Sequence, residues 1–283
     1  MSAAGSAAGY TQARSRHARE ITVAFAAVRA RTGLALVLLA LTAFAWLSTV
    51  DRMAGMDASP GAPLGSLGWF LGFWVVMMAA MMLPALAPTT ALYARMTRRH
   101  GLARALLFDS GYLLVWAAVG VLAYGLFEVG RTVFGADLAW RAGGRWMTGG
   151  VLLLAAVYEV TPLKNLCLGK CRSPLGFLLG SWREGNSGAI QMGVRHAGWC
   201  LGCCWALMGG LFALGIMSLT WMGVTAALVT IEKTLPWRRP ATWGTACLLT
   251  VLAVAVVLAP HSVPGLVVPG GAHHAMRVMH GMG

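Results

Sequence analysis

LGWFLGFWVVMMAAMMLPALAPTTAL, residues 67–92, runs for 26 residues without a charged side chain. A hydrocarbon core about 30 Å thick is crossed by roughly 20 apolar residues in a helix, so this stretch predicts a membrane-spanning helix. Comparable runs lie near 33–50, 101–127, 146–160 and 241–259. The stretch 193–235 as one straight helix would reach about 64 Å. It is therefore divided into spans at 193–214 and 219–235, with a turn near Gly215. The fold class expected is all-α: a polytopic transmembrane helix bundle of six or seven spans. The bundle covers residues 33–260, between a basic tail at 1–32 and a flexible His/Met-rich tail at 261–283.

Composition agrees. Of 283 residues 58% are apolar and 11% charged, with a mean hydropathy of +0.69, whereas soluble domains carry about 25% charged residues. The surplus of 22 Lys and Arg over 9 Asp and Glu is spread between the apolar runs and forms no separate domain. It speaks for topology, and the partner expected is the lipid bilayer rather than nucleic acid. With seven spans, 17 Lys and Arg fall on the side of the N-terminus and 5 on the other; with six, 15 and 7. Either way the N-terminus is expected in the cytoplasm of a cell (inner or plasma) membrane protein. The first 31 residues, Ala-rich and basic, lack the pattern of a cleaved signal and are expected to remain as a cytoplasmic tail.

Five of the six cysteines fall within 38 residues, which favours metal or redox chemistry over a disulfide framework. In QMGVRHAGWCLGCCWALMGG, residues 191–210, Met192, His196, Cys200, Cys204 and Met208 recur every four residues and share one helical face, with Cys203 beside them. Thiolate, imidazole and thioether are the soft donors that select Cu(I), with zinc as the other metal suited to thiolate and imidazole. Upstream, Cys167 and Cys171 are also four apart, and Lys164, Lys170 and Arg172 favour the thiolate form that binds metal. Topology brings both clusters to the cytoplasmic side. They are expected to join in one site, with the 161–192 connection folding back through Pro174, Gly176, Gly180 and Gly185. Its apolar patch at 174–180 suits a re-entrant or interfacial helix.

Two further groups are weaker. Met77, Met78, Met81 and Met82 form two thioether stripes above Pro84 and Pro88, which suits either Cu(I) passage or core packing. The tail carries His261, His273, His274 and His280 with Met276, Met279 and Met282, donors for either copper state. Intramembrane charge is confined to Asp109, expected to pair with Arg104 or Arg145, and to Glu159, expected near the Cys167 segment. Glu232 and Lys233 are expected as an interfacial anchor. No GxxxxGK[ST], HExxH or G-x-S-x-G motif occurs, so no ATP-driven pump is encoded and no catalytic residues are assigned.

The strings WVVMMAAMMLP (74–84), YEVTPLKNLCLGKCRSP (158–174), GVRHAGWCLGCCWALMGGLFALGIMSLTWM (193–222) and EKTLP (232–236) together resemble a bacterial membrane family. That family is catalogued as a domain of unknown function and labelled predicted metal-binding integral membrane protein, sometimes copper chaperone. The resemblance runs from about Trp69 to Pro236. It implies a multi-pass metal-handling protein whose site includes Cys167, Cys171, His196, Cys200, Cys203 and Cys204. Trp199 and Glu159 depart from the Tyr and Gln of the pattern, and neither is a proposed ligand. The function expected is Cu(I) binding and delivery to a membrane or extracytoplasmic copper enzyme. The alternatives are a membrane thiol–disulfide relay and a non-catalytic subunit of a larger membrane complex holding a structural metal.

Overall fold

The computed structural model describes residues 32–53, 64–97, 101–134, 143–215, 218–235, 238–264 and 266. Among these, no strand occurs, and the helices are α1 (Thr32–Met53), α2 (Leu67–Met96), α3 (Gly101–Phe134), α4 (Arg145–Glu159), α5 (Pro162–Cys171), α6 (Pro174–Ser181), α7 (Gly185–Gly215), α8 (Leu219–Thr234) and α9 (Arg238–Leu258), with a short 3-10 turn at Pro260–Ser262. The all-α expectation holds over this range. The tail ligands His273, His274, Met276, Met279 and His280 lie outside it, as does the basic tail before residue 32.

Helices α2, α3, α7 and α9 are long and apolar enough to cross a membrane. A fifth crossing results if α4 and α5, bent 69° to each other, make one broken span. The six or seven spans of the sequence reading also draw on the apolar helix Leu36–Asp51 and on the 16-residue α8, which is only about 24 Å long. Helices α2 and α7 are central: 56% of the apolar window of each is buried, against 11% for α3. The outward residues of α3, among them Leu114, Leu122 and Leu126, are the apolar surface that lipid would cover.

Local chemistry sets the breaks. Ser66 caps α2, accepting from the Trp69 N–H at 3.4 Å, and the helix then runs unbroken through Pro84 and Pro88. Thr161 stands extended and accepts from the Lys164 N–H at 3.3 Å, and Pro162 occupies the first helical position, where its missing N–H costs nothing. This pair starts α5 and produces the bend. Pro174 starts α6 in the same way. Segment 161–192 is therefore helical for most of its length rather than a folding-back loop, and Gly176 and Gly180 lie inside α6. Helix α7 begins at Gly185, eight residues before the expected span start, and ends at Gly215, whose φ of 107° lets the chain reverse into α8.

Helices α3 and α7 cross with their backbones in contact. A Cβ on Gly193 would stand 2.0 Å from the Phe108 carbonyl oxygen, and one on Gly111 would stand 2.3 Å from that of Ile190. Small residues at a crossing let helices approach where apolar burial alone gives no drive between them. Trp74 on α2 adds an N–H donated to the Trp116 carbonyl of α3 at 2.7 Å. The crossing brings Tyr112 of α3 against the cysteine face of α7.

Candidate metal centre

Cys200 and Cys203 stand one turn apart on α7, and Cys171 ends α5, which packs along α7. The three sulfur atoms lie within 4.8 Å of one another, and their residues are 0%, 2% and 7% exposed, Cys171 the most. An ion held in a plane by three sulfurs at about 2.3 Å would set them about 4.0 Å apart, so the donor set fits one soft ion.

The neighbours fall into a clear order. Cys204 Sγ is 3.9 Å from Cys200 Sγ, and the thiols of Cys203 and Cys204 both donate to the Cys200 carbonyl, at 3.1 and 2.9 Å. His196 Nε2 stands 4.0 Å from Cys171 Sγ, and the ring is packed edge-on against Phe177 at 4.7 Å. Its Nδ1 is buried with no hydrogen-bond partner among the described residues. Cys167, a turn back on α5, packs against Gly202, where an added Cβ would come within 2.7 Å of its sulfur. The upstream pair thus divides: Cys171 meets the α7 cysteines, and Cys167 supports the packing of α5 on α7. Cys247 is exposed on α9, away from the cluster.

The thioethers are more dispersed. Met192 and Met208 are buried on α7 about two turns on either side of Cys200, and Met192 Sδ accepts from the Arg183 N–H at 3.4 Å. Met77, Met78, Met81 and Met82 are all fully buried in α2, packed in the same apolar core.

Sequence reasoning missed the charges. Lys233, expected at the interface, is buried with its Nζ 2.9 Å from Cys200 Sγ. Tyr112 Oη lies 2.8 Å from the same sulfur. Glu232, one residue earlier, accepts from Lys164 Nζ at 2.7 Å, and Lys164 also pairs with Glu159. Arg172 donates to the Leu235 carbonyl just past the end of α8. The signal available was the cost of two adjacent charges at the end of an apolar helix, which pairing inside the protein removes. Asp109 pairs with neither expected arginine: its Oδ1 accepts from Thr90 Oγ1 at 2.6 Å.

The C-terminal end of α8 therefore clamps α5 through Lys164 and Arg172, and α7 through Cys200. An ion on Cys171, Cys200 and Cys203 would join the same two helices, with the Lys233 ammonium offsetting part of the thiolate charge.

A family model described as copper chaperone (PpoB2) matches residues 71–256, a stretch that includes every cysteine and all these charged neighbours. No curated protein and no solved structure matches the chain.

Proposed function

Because this chain belongs to the copper chaperone family, we propose that it is a multi-pass membrane protein that takes up Cu(I) on Cys171, Cys200 and Cys203 and delivers it to a membrane or extracytoplasmic copper enzyme. The observation that carries this reading is the convergence of three buried sulfurs from two helices. Among the described residues these three sulfurs are the donors that lie mutually within 4.8 Å, a set that suits Cu(I); zinc in structural sites takes four, and would need Cys204 or His196, each close to one of the three, to close the shell. Exchange of one sulfur at a time lets a chaperone release its cargo. Cys204 and His196, each 3.9–4.0 Å from one of the three sulfurs, are the exchange partners at hand.

The family and the cysteine group support metal binding, and the long apolar helices support a place in the cell membrane. The excess of Lys and Arg on the side of the N-terminus supports a cytoplasmic N-terminus. Anaerobic titration of the metal-free, detergent-solubilised protein with Cu(I) against a competing chelator tests the reading. One tightly held ion, lost in Cys200→Ser and kept in Cys247→Ser, is expected. Equal affinity in the two variants would reject the site.

The 3.9 Å approach of Cys200 and Cys204 favours a second reading, the thiol–disulfide relay. That reading requires a disulfide that forms and reopens, detected by differential alkylation of oxidised and reduced protein, and a chain that turns over without copper.

A further inference from the structure

A cleft of about 1120 Å³ opens between α5, α6 and the start of α9. Its polar lining includes Asn165, Lys170, Ser173, Arg239 and Thr242, and Phe177 lies in its wall. Two features tie it to the metal centre. Lys170 and Ser173, which line the cleft, flank Cys171, the most exposed of the three clustered cysteines. Phe177, 5% exposed, meets His196 in an edge-to-face contact at 4.7 Å, so a single ring separates the cleft from the imidazole beside Cys171.

We propose that this cleft is the docking site for the copper donor, a small acidic thiol that carries Cu(I) as an anionic thiolate complex. The inference rests on the Cu(I) reading above and adds the form in which the ion arrives. Lys170 and Arg239 repel a bare cation and attract a carboxylate-bearing carrier. Small-molecule sites run from about 300 to 1,000 Å³ and combine apolar walls with a few polar groups; at about 1120 Å³ this cleft lies just above that range, is lined in the same way and has room for a short peptide thiol. Transfer is a ligand exchange. The Cys171 S–H bond breaks as its sulfur bonds to copper, one copper–sulfur bond to the carrier breaks, and the proton goes to the carrier thiolate. Copper stays in the +1 state and no electron moves. Cys200 and Cys203 displace any remaining carrier sulfur in the same way, with the ion moving inward from the most exposed cysteine to the buried ones.

The test uses the full chain in detergent without oxygen, loaded either from glutathione-bound Cu(I), an anionic carrier, or from Cu(I) in acetonitrile, a cationic one. Loading is followed by stopped-flow absorbance of the copper–thiolate bond. In Lys170→Glu with Arg239→Glu, the ratio of the glutathione rate to the acetonitrile rate is expected to fall by about tenfold or more, the effect of roughly 1.4 kcal/mol on a barrier. Arg131→Glu, a charge reversal of the same sign at an exposed ion pair on α3, is expected to leave the ratio as it was. An unchanged ratio in the cleft variant, or the same fall in Arg131→Glu, overturns the donor site. So does a cleft variant that loses copurified anionic phospholipid and keeps its ratio, since the cleft would then hold a lipid headgroup. If the wild-type chain takes copper from neither source, the Cu(I) reading itself fails, and final stoichiometry separates that result from failure of the cleft alone.

Discussion

Lys233 Nζ stands 2.9 Å from Cys200 Sγ, and both side chains are buried at the meeting of α7 and α8. A cation so placed favours a sulfur that carries negative charge, and a charge-assisted contact is roughly twice as strong as a neutral one. Lys233→Met is expected to lower Cu(I) affinity by about tenfold, some 1.4 kcal/mol, measured by chelator competition. Tyr112→Phe, which removes the contact at 2.8 Å, is expected to cost less. A rise in affinity in Lys233→Met would mean that repulsion of the ion outweighs the support the lysine gives the sulfur, and an unchanged affinity would mean that the ion sits elsewhere.

Lys164 separates two buried carboxylates, those of Glu159 and Glu232. Removing one partner of a buried pair leaves the other charge without compensation, a loss of about 3–5 kcal/mol. Lys164→Met should therefore melt well below the wild type in a thermal scan, and adding Glu159→Gln and Glu232→Gln should restore part of the difference. A single variant as stable as the wild type would show that the triad contributes nothing to the fold.

At the α3–α7 crossing, Gly193→Ala puts a methyl 2.0 Å from a backbone oxygen that cannot rotate aside. The helices must separate, which takes Tyr112 away from Cys200 and lowers both melting temperature and copper affinity. Gly198→Ala, on the same helix with open space around it, is the control. Equal behaviour of the two would argue against the close crossing as the feature that positions Tyr112.

The contrast between Cys171 and Lys233 shows how far the chain could be interpreted before its structure. The helical face of α7 follows from spacing alone, because residues four apart share a side whatever surrounds them, and the reversal at Gly215 follows from helix length. Helix α6 falls on the apolar patch at 174–180 that suits a re-entrant or interfacial helix, whereas α5 was legible only in principle: Thr161–Pro162 is a helix-start signature, masked because the helix it opens is only 10 residues long. That Cys171 and not Cys167 meets the α7 cysteines depends on the 69° bend and on the packing of α5 against Gly202, which no spacing encodes. Lys233 was misplaced because a charge at the end of an apolar helix has two low-cost positions, the interface and an internal partner, and only tertiary contacts choose between them.

The most direct measurement is X-ray absorption at the copper edge on full-length protein, purified without oxygen and loaded with one equivalent of Cu(I). Three sulfur neighbours are predicted for the wild type, as the cluster of Cys171, Cys200 and Cys203 requires, and a lower sulfur count in Cys171→Ser but not in Cys167→Ser. A first shell that is unchanged in Cys171→Ser, or one made mainly of nitrogen or oxygen, would contradict the three-sulfur centre.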